Sequence, residues 1–177
     1  MATHKIFIAG FGGQGVMLIG QMIASAGMLD NKEVTFLPSY GPEMRGGTAN
    51  CTVIVSDNPI SCPIVDHPTC LVVMNEPSLV KFEEKVAPGG VIFVNTSLIK
   101  QKVQRNDVKV YYVDAGETAK SLENERAANI VMLGAVIRQM GLTNIESIEK
   151  VLEEVFSGRK AHLLSVNKKA LNAWKEE

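Results

Sequence analysis

The stretch Lys5–Val16 (KIFIAGFGGQGV) contains the pattern that decides the fold. Lys5–Ala9 is a short apolar run that ends at a glycine, which is typical of a buried strand. Gly10–Gly15 (GFGGQG) follows with the spacing G-x-G-x-x-G, and the apolar segment Val16–Leu29 then predicts a buried helix. A strand, a glycine-rich turn and a helix in this order predict the first unit of an α/β fold.

Strands and helices alternate along much of the remaining chain. Further strands are predicted at Val34–Leu37, Ala49–Ser56, Leu71–Met74, Val91–Asn95 and Val108–Val113, and further helices at Ser78–Val86, Ala127–Met140, Ile145–Phe156 and Leu163–Trp174. Pro38–Thr48 is too short for a helical crossover, so the third strand is expected to be antiparallel or on an edge. We therefore expect a single domain over residues 1–177, with a helical C-terminal part from about residue 115. Its fold class is α/β, a three-layer α/β/α sandwich with a mostly parallel, mixed sheet and a Rossmann-like first βα unit.

Composition narrows the classes of function. A net charge of −1 argues against a nucleic-acid partner, and 46% hydrophobic residues over 177 positions argue against disorder. Cys51, Cys62 and Cys70 form no Cys-x-x-Cys pair and the three histidines are far apart, so we expect no metal site. No export signal and no spanning segment is recognised, so a cytoplasmic location without a membrane is expected.

The glycine-rich turn is the first candidate binding site. Its glycines let a ligand approach the backbone, and the helix that starts beyond it suits a phosphate or carboxylate, which makes Gly10, Gly12, Gly13, Gln14 and Gly15 candidate ligand residues. A dinucleotide fold would add an acidic residue at the end of the second strand, yet Phe36–Tyr40 (FLPSY) contains none. The NAD interpretation is therefore disfavoured, whereas an anion site and a purely structural tight turn both remain open.

Two further segments carry unusual residues. Ser39–Thr48 (SYGPEMRGGT) follows a strand end, where Arg45 could grip a carboxylate or phosphate and the Gly46 and Gly47 amides could form an anion nest. The alternative is that Glu43 and Arg45 are solvated or paired and that the glycines only turn the chain. Asn129, at the start of an apolar helix, could cap the helix, hold a loop or contact a ligand, and capping is favoured.

Three motifs together resemble the gamma subunit of 2-oxoacid:ferredoxin oxidoreductases. They are Ile8–Val16 (IAGFGGQGV), Ser39–Val53 (SYGPEMRGGTANCTV) and Glu125–Ala135 (ERAANIVMLGA). The resemblance implies a complex that decarboxylates a 2-oxoacid on thiamine diphosphate, passes electrons through iron–sulfur clusters to ferredoxin, and forms acyl-coenzyme A. This chain has no Gly-Asp-Gly thiamine signature and no cluster cysteines, so partner subunits would carry thiamine diphosphate and the clusters, and the chain would not act alone.

The resemblance also indicates where the binding residues lie. The glycine-rich turn and the loop with Tyr40, Glu43, Arg45, Gly46 and Gly47 would contribute, with Asn129, to the active-site or coenzyme A cavity, and no residue is assigned a catalytic role. Phe11, Tyr40 and Met44 are apolar residues in loops, which suits coverage by another chain. The substrate is expected to be 2-oxoglutarate or a branched-chain 2-oxoacid. A free-standing nucleotide- or flavin-binding redox module, a non-catalytic scaffold and a homodimer of the isolated chain stay as alternatives.

Overall fold

A computed structural model describes residues 2–40 and 47–176, and for Tyr40 it describes the backbone only. The strands are β1 (Thr3–Phe11), β2 (Glu33–Tyr40), β3 (Thr48–Ser56), β4 (Cys70–Val73), β5 (Val91–Asn95) and β6 (Lys109–Val113). The α-helices are α1 (Val16–Leu29), α2 (Glu76–Phe82), α3 (Ala115–Ser121), α4 (Ala128–Met140), α5 (Ile145–Val155) and α6 (Leu164–Leu171). Short 3₁₀ turns lie at Glu83–Lys85, Glu125–Ala127 and Gly158–Leu163.

The strands form one mixed sheet in the order β2-β3-β1-β4-β5-β6. β1, β4, β5 and β6 are parallel, whereas β3 is antiparallel to both of its neighbours, so β2 runs parallel to β1. The predicted mixed sheet and the antiparallel third strand are confirmed. The alternative of an edge position for the third strand is wrong, because β3 lies between β2 and β1. β2 is one of the two edge strands, which suits Pro38, since proline has no backbone N–H to donate to a second neighbour.

Helices cover the two faces of the sheet unequally. Alternate residues of β1 divide between the faces: Ile6 and Ile8 pack in a large core with α1, α4, α5 and α6. Phe7 and Ala9 belong to a smaller core with Leu79 and Phe82 of α2. The sheet therefore has a thick helical layer on one side and a thin one on the other. No helix in the two described ranges is long and apolar enough to cross a bilayer.

Two helical glycines permit close packing in the thick layer. A Cβ on Gly20 of α1 would lie 2.6 Å from the Sγ of Cys51 on β3. A Cβ on Gly134 of α4 would lie 2.0 Å from the backbone oxygen of Leu171 in α6. Each glycine sets the distance at which its helix meets the neighbouring element, because a side chain there would overlap atoms of that element.

The contact at Gly134 gives a stability prediction. Gly134→Ala should lower the free energy of unfolding by about 1–3 kcal/mol, because backbone atoms of α6 must move to admit the methyl group. Urea unfolding measures this loss, and Ser165→Ala on the exposed part of α6 is the control, with an expected change within about 0.5 kcal/mol. Equal stability of the two variants would contradict the close packing of α4 on α6.

Asp30 connects the end of α1 to the start of α5. Its carboxylate accepts hydrogen bonds from the backbone N–H of Asn144 (2.7 Å), from the Asn144 amide (3.0 Å) and from the Ser147 hydroxyl. Burial alone would raise the pKa of Asp30, but the bonds from Ser147 and Asn144 and the charge of Lys32 outweigh it and hold the pKa below its usual value. The ionised side chain therefore stabilises the junction between the two helices.

A depressed pKa in the folded state implies a defined pH dependence. The contribution of Asp30 is present above its unfolded pKa, about 3.9, and is lost as the pH falls through the lower folded value. Asp30→Asn should cost about 0.5–1 kcal/mol at pH 7 after allowance for solvent screening, and the difference from the wild type should shrink towards pH 2–3. Unfolding curves of both proteins across this pH range measure the difference, and Glu154→Gln is the control. A difference that stays constant with pH would show that the ionised carboxylate of Asp30 does not stabilise the junction of α1 and α5.

Candidate functional site

The glycine-rich turn lies where the connections of the sheet diverge. From β1 the chain passes through α1 to β2 on one side, whereas from β4 it passes through α2 to β5 on the other. β1 and β4 are adjacent and parallel, so their carboxyl ends border the same crevice. Open α/β sheets bind ligands at such a point. Gly10–Gly15 is therefore at the position where this fold class places its binding site.

Gln14 fastens the turn to the end of β4. Its Oε1 accepts from the backbone N–H of Phe11 (2.7 Å) and from the Nδ2 of Asn75 (3.3 Å), and its Nε2 donates to the carbonyl of Met74 (3.2 Å). Asn75 in turn caps α2, because its Oδ1 accepts from the N–H of Ser78 at 3.0 Å. The sequence predicts Gln14 to be a ligand residue, and in the structure its amide groups hold the turn itself.

The glycines of the turn have different roles. A Cβ on Gly10 would lie 2.7 Å from the Oε1 of Gln14, and one on Gly15, whose φ is +75°, would lie 2.3 Å from the Nδ2 of Asn129. Gly13 has a φ of +100°, a Cβ there would have no neighbour within 4 Å, and the residue borders a cavity. Gly10 and Gly15 thus serve close packing, whereas Gly13 leaves the backbone open to a ligand.

A cavity of about 500 Å³ opens beside Gly13. This is within the range of small-molecule sites, roughly 300–1,000 Å³. Gln14, Met74 and Asn95, at or beyond the ends of β1, β4 and β5, meet here with residues of α3 and α4. Exposed charged side chains surround the cavity, two acidic and two basic: Glu117, Lys120, Glu125 and Arg126. Leu98, which is 57% exposed, adds an apolar group.

Two asparagines give the cavity its polar lining. Asn95 is 1% exposed; its Nδ2 donates to the carbonyl of Met74 at 3.4 Å, and its Oδ1 has no hydrogen-bond partner among the described residues. Asn129 is 6% exposed, and its side chain packs against Gly15 of the turn. An unpaired buried acceptor costs about 1–3 kcal/mol.

Asn129 does not cap its helix, so the favoured interpretation of this residue is wrong. Ala127 occupies the N-cap position of α4, and no side chain caps that end. The 3₁₀ turn Glu125–Ala127 continues directly into α4, which places Asn129 inside the first turn of the helix. Its side chain packs against Gly15, and it borders the cavity.

The second predicted segment adjoins the first. The backbone N–H of Gly12 donates to the carbonyl of Gly47 at 2.9 Å, and Tyr40 pairs with Ala49 at the end of the β2–β3 ladder. Glu43, Arg45 and Gly46, together with Met44, lie outside the described residues. The structure therefore brings Gly47 and the backbone of Tyr40 to the carboxyl edge beside the turn.

Asn75 and Asn95 are site residues that the sequence analysis did not single out. Each ends or follows an apolar strand run, LVVMN (Leu71–Asn75) and VIFVN (Val91–Asn95). A polar side chain at the carboxyl end of a parallel strand was the available signal, because ligands bind at that edge.

Two of the described cysteines, Cys51 and Cys70, have the properties of structural thiols, whereas Cys62 is exposed. Cys51 and Cys70 are buried; burial raises the pKa of Cys51 to about 12 and also raises the pKa of Cys70. Both therefore stay protonated, whereas a metal ligand must be a thiolate. Within residues 2–40 and 47–176, no three potential histidine, cysteine or carboxylate ligands are grouped.

The sheet order also disfavours the NAD interpretation. β3 separates β2 from β1, so the end of β2 is two strand spacings, roughly 10 Å, from the turn. In a dinucleotide fold these two strands are neighbours, and the ribose-binding acid lies beside the glycine turn. The strand that neighbours β1 here is β3, which runs in the opposite direction and begins, rather than ends, at this edge.

Comparison with known proteins identifies the family. The family described as pyruvate ferredoxin/flavodoxin oxidoreductase matches residues 5–176. The chain belongs to this family. The resemblance drawn from the three motifs is thereby confirmed.

Relatives within the family occur in two lengths. Ketoisovalerate oxidoreductase subunit VorA of Methanothermobacter thermautotrophicus is 38% identical over 97% of this chain and 36% of its own length. The chain thus spans about a third of the length of such relatives. 2-Oxoglutarate synthase subunit KorC of Methanocaldococcus jannaschii is 37% identical over 93% of this chain and 90% of its own. The crystal structure of the keto/oxoacid ferredoxin oxidoreductase gamma subunit from Geobacter sulfurreducens is 30% identical, with a TM-score of 0.81, over 96% of this chain and 95% of that one.

The two positive-φ glycines provide a matched test of the turn. Gly13→Ala should cost about 1–2 kcal/mol in unfolding free energy from backbone strain alone, whereas Gly15→Ala should cost more because its methyl group also meets Asn129. The excess should shrink in an Asn129→Ala background, as a double-mutant cycle by urea unfolding would show. Equal costs at Gly13 and Gly15 in the wild type would refute the contact between the turn and α4.

Proposed function

We propose that this chain is the gamma subunit of a multi-subunit 2-oxoacid:ferredoxin oxidoreductase, which oxidatively decarboxylates a 2-oxoacid to an acyl-coenzyme A. The observation that carries the proposal is the match along nearly the whole chain to KorC and to the Geobacter gamma subunit, both of which it covers almost completely. Residues 1–177 would act as one unit in that complex, in the cytoplasm.

The described residues fit a subunit that supports the chemistry of partner chains. The two buried cysteines are protonated thiols, and the described ranges group no metal ligands. Thiamine diphosphate and the iron–sulfur clusters would therefore be held by partner subunits, and electrons would reach ferredoxin through the complex. This chain would contribute the carboxyl edge of its sheet, with Phe11, 36% exposed, suited to coverage by a partner.

The cavity beside Gly13 would form the part of the active-site or coenzyme A cavity that this chain contributes. Gly13 leaves the backbone accessible, and Asn129 and Asn95 supply polar groups inside. Gln14, Gly10, Gly12 and Gly15 would act by fixing the turn. Tyr40, Glu43, Arg45, Gly46 and Gly47 would extend the site along the same edge, with Arg45 as the candidate for gripping a carboxylate or phosphate.

The substrate would be 2-oxoglutarate or a branched-chain 2-oxoacid. Relatives of nearly equal identity, 38% and 37%, are named for ketoisovalerate and for 2-oxoglutarate, and these names are the support for both. Groups that select the 2-oxoacid would lie mostly on partner chains.

Co-purification tests the subunit assignment. The tagged chain, expressed at native level, should retain thiamine- and cluster-bearing chains and show coenzyme A-dependent reduction of ferredoxin with one of these oxoacids. The isolated chain should show no turnover. Recovery of the chain without partners, or with tightly bound flavin or NAD, would instead support a scaffold or a free-standing redox module.

Arg45→Ala in the assembled complex tests the second loop. Loss of one charge-assisted contact to an anion should raise KM for coenzyme A or the oxoacid about 10- to 100-fold. Arg159→Ala, on the 3₁₀ turn Gly158–Leu163, is the control and should leave the kinetics unchanged. Unchanged kinetics for Arg45→Ala would remove this residue from the site.

A further inference from the structure

We propose that a partner subunit of the complex packs on one face of β1, β2 and β3, through an uncharged and largely apolar surface of its own. This open face of the sheet consists of Phe11, Leu37, Ser39, Asn50 and Thr52. The inference rests on the proposed function and deepens it, because it states through which surface the chain joins the complex.

The two sides of β2 and β3 differ in what covers them. Val34 and Phe36 of β2, with Val53 and Val55 of β3, pack in the large core under α1, α4, α5 and α6. The residues that alternate with them point to the other side of the sheet. There the helix is α2, which packs against β1, β4 and β5, and the smaller core contains no described residue of β2 or β3. A three-layer sandwich needs a further layer over these two strands.

The open face is the carboxyl half of this side. Leu37, Thr52 and Phe7 are directly opposite one another across β2, β3 and β1, so their side chains form one row. Towards the amino end, Ile54 is only 1% exposed. Leu37, in contrast, is 42% exposed and Phe11 is 36% exposed. The exposed apolar area therefore lies next to the carboxyl edge of the sheet.

Charged residues are separated from the open face. On this side of the sheet, Lys5 and Glu33 lie at the amino ends of β1 and β2, and the open face itself contains no charge. One side of an antiparallel pair can simply face water, and the hydroxyl and carboxamide side chains would fit that interpretation. Leu37 and Phe11 do not fit it. An apolar, charge-free centre with a charged rim is the composition of a subunit interface.

The lengths of the relatives indicate what covers the open face. VorA matches 97% of this chain with 36% of its own length, so the greater part of that polypeptide lies outside the match. KorC, in contrast, matches over 90% of its own length. A chain of the shorter kind would have to hold the equivalent of that additional polypeptide without a covalent link. An exposed apolar surface supplies the free energy for such an association.

Two residues define how the partner would approach. Pro38 leaves the edge of β2 without one N–H donor, which disfavours the addition of another strand there and favours packing on the face. Phe11 belongs both to the open face and to the glycine-rich turn region, because it ends β1 and its N–H donates to Gln14. A partner on the open face would therefore also border the candidate site.

Insertion of a charge tests the docking surface in the assembled complex. Leu37→Lys should raise the dissociation constant for the partner subunits at least about 10-fold, because an ammonium group would be buried without a counter-charge. Met28→Lys is the matched control: Met28 is 62% exposed near the end of α1, on the other side of the sheet, and this variant should bind like the wild type. Competition of each unlabelled variant with labelled wild-type chain for the partner subunits measures both constants.

Two further measurements keep the result interpretable. Thr52→Lys, in the middle of the open face, should weaken binding in the same way if Leu37→Lys does not fold, and urea unfolding of the isolated variants shows which of them fold. Hydrogen exchange of the wild-type chain over residues 33–39 should slow at least about 5-fold on assembly, because the partner would cover β2.

The outcomes that overturn the inference differ from those that overturn the proposed function. Wild-type binding by both Leu37→Lys and Thr52→Lys, or unchanged hydrogen exchange over residues 33–39, would refute the docking surface and leave the subunit assignment intact. Dimerisation of the isolated wild-type chain that Leu37→Lys abolishes would assign the open face to a second copy and would also refute it. A wild-type chain that retains no thiamine- or cluster-bearing chain would overturn the proposed function and this inference with it.

Discussion

The site depends on one side chain, Gln14, which ties the glycine-rich turn to the end of β4. Its carboxamide uses both ends: the oxygen holds the turn through Phe11 and meets Asn75, and the nitrogen binds the Met74 carbonyl. Met74 also accepts from Asn95 at the end of β5. A chain of amide groups thus crosses β1, β4 and β5 at their carboxyl ends. Without it, the turn could move away from the crevice that it borders, because Gly13 and Gly15 restrain the backbone weakly.

The fold was predictable to the extent that local patterns determine it. The bounds of α1 and β5 coincide with the predicted ones, because each element begins directly after a glycine, is largely apolar and is followed by a polar residue. The length of Pro38–Thr48 limited β3 to two alternatives, an antiparallel strand or an edge strand, and the first is observed. Its place between β2 and β1 was not predictable, because strand order depends on which partner α1 buries against. Gly20 and the other small residues of α1 allow that partner to be β3, yet the same residues suit other neighbours.

The sequence predicted where the candidate site lies, but not what each of its residues does there. The glycine spacing predicted the turn, but the division between Gly10 and Gly15, which serve packing, and Gly13, which faces the cavity, depends on neighbours distant in sequence. Asn129 lies far beyond Gly15 in the chain, so its contact there has no local signal. The prediction that Asn129 caps α4 was wrong because the 3₁₀ turn Glu125–Ala127 continues directly into the helix, so Asn129 lies inside its first turn. The sequence signal for Asn95 is its position as the polar last residue of the apolar strand β5.

The inserted β3 gives this glycine motif different neighbours from those it has in a dinucleotide fold. Placing β3 beside β1 removes β2 from the position where a ribose-binding acid would lie, and it brings Gly47 against Gly12 instead. The turn is thereby bordered by the β2–β3 connection on one side and by α3 and α4 on the other. The buried and half-buried polar side chains that border the cavity are the carboxamides of Gln14, Asn95 and Asn129 and the hydroxyl of Ser97, none of which titrates in the range where proteins stay folded, so they keep their hydrogen-bonding character as pH changes.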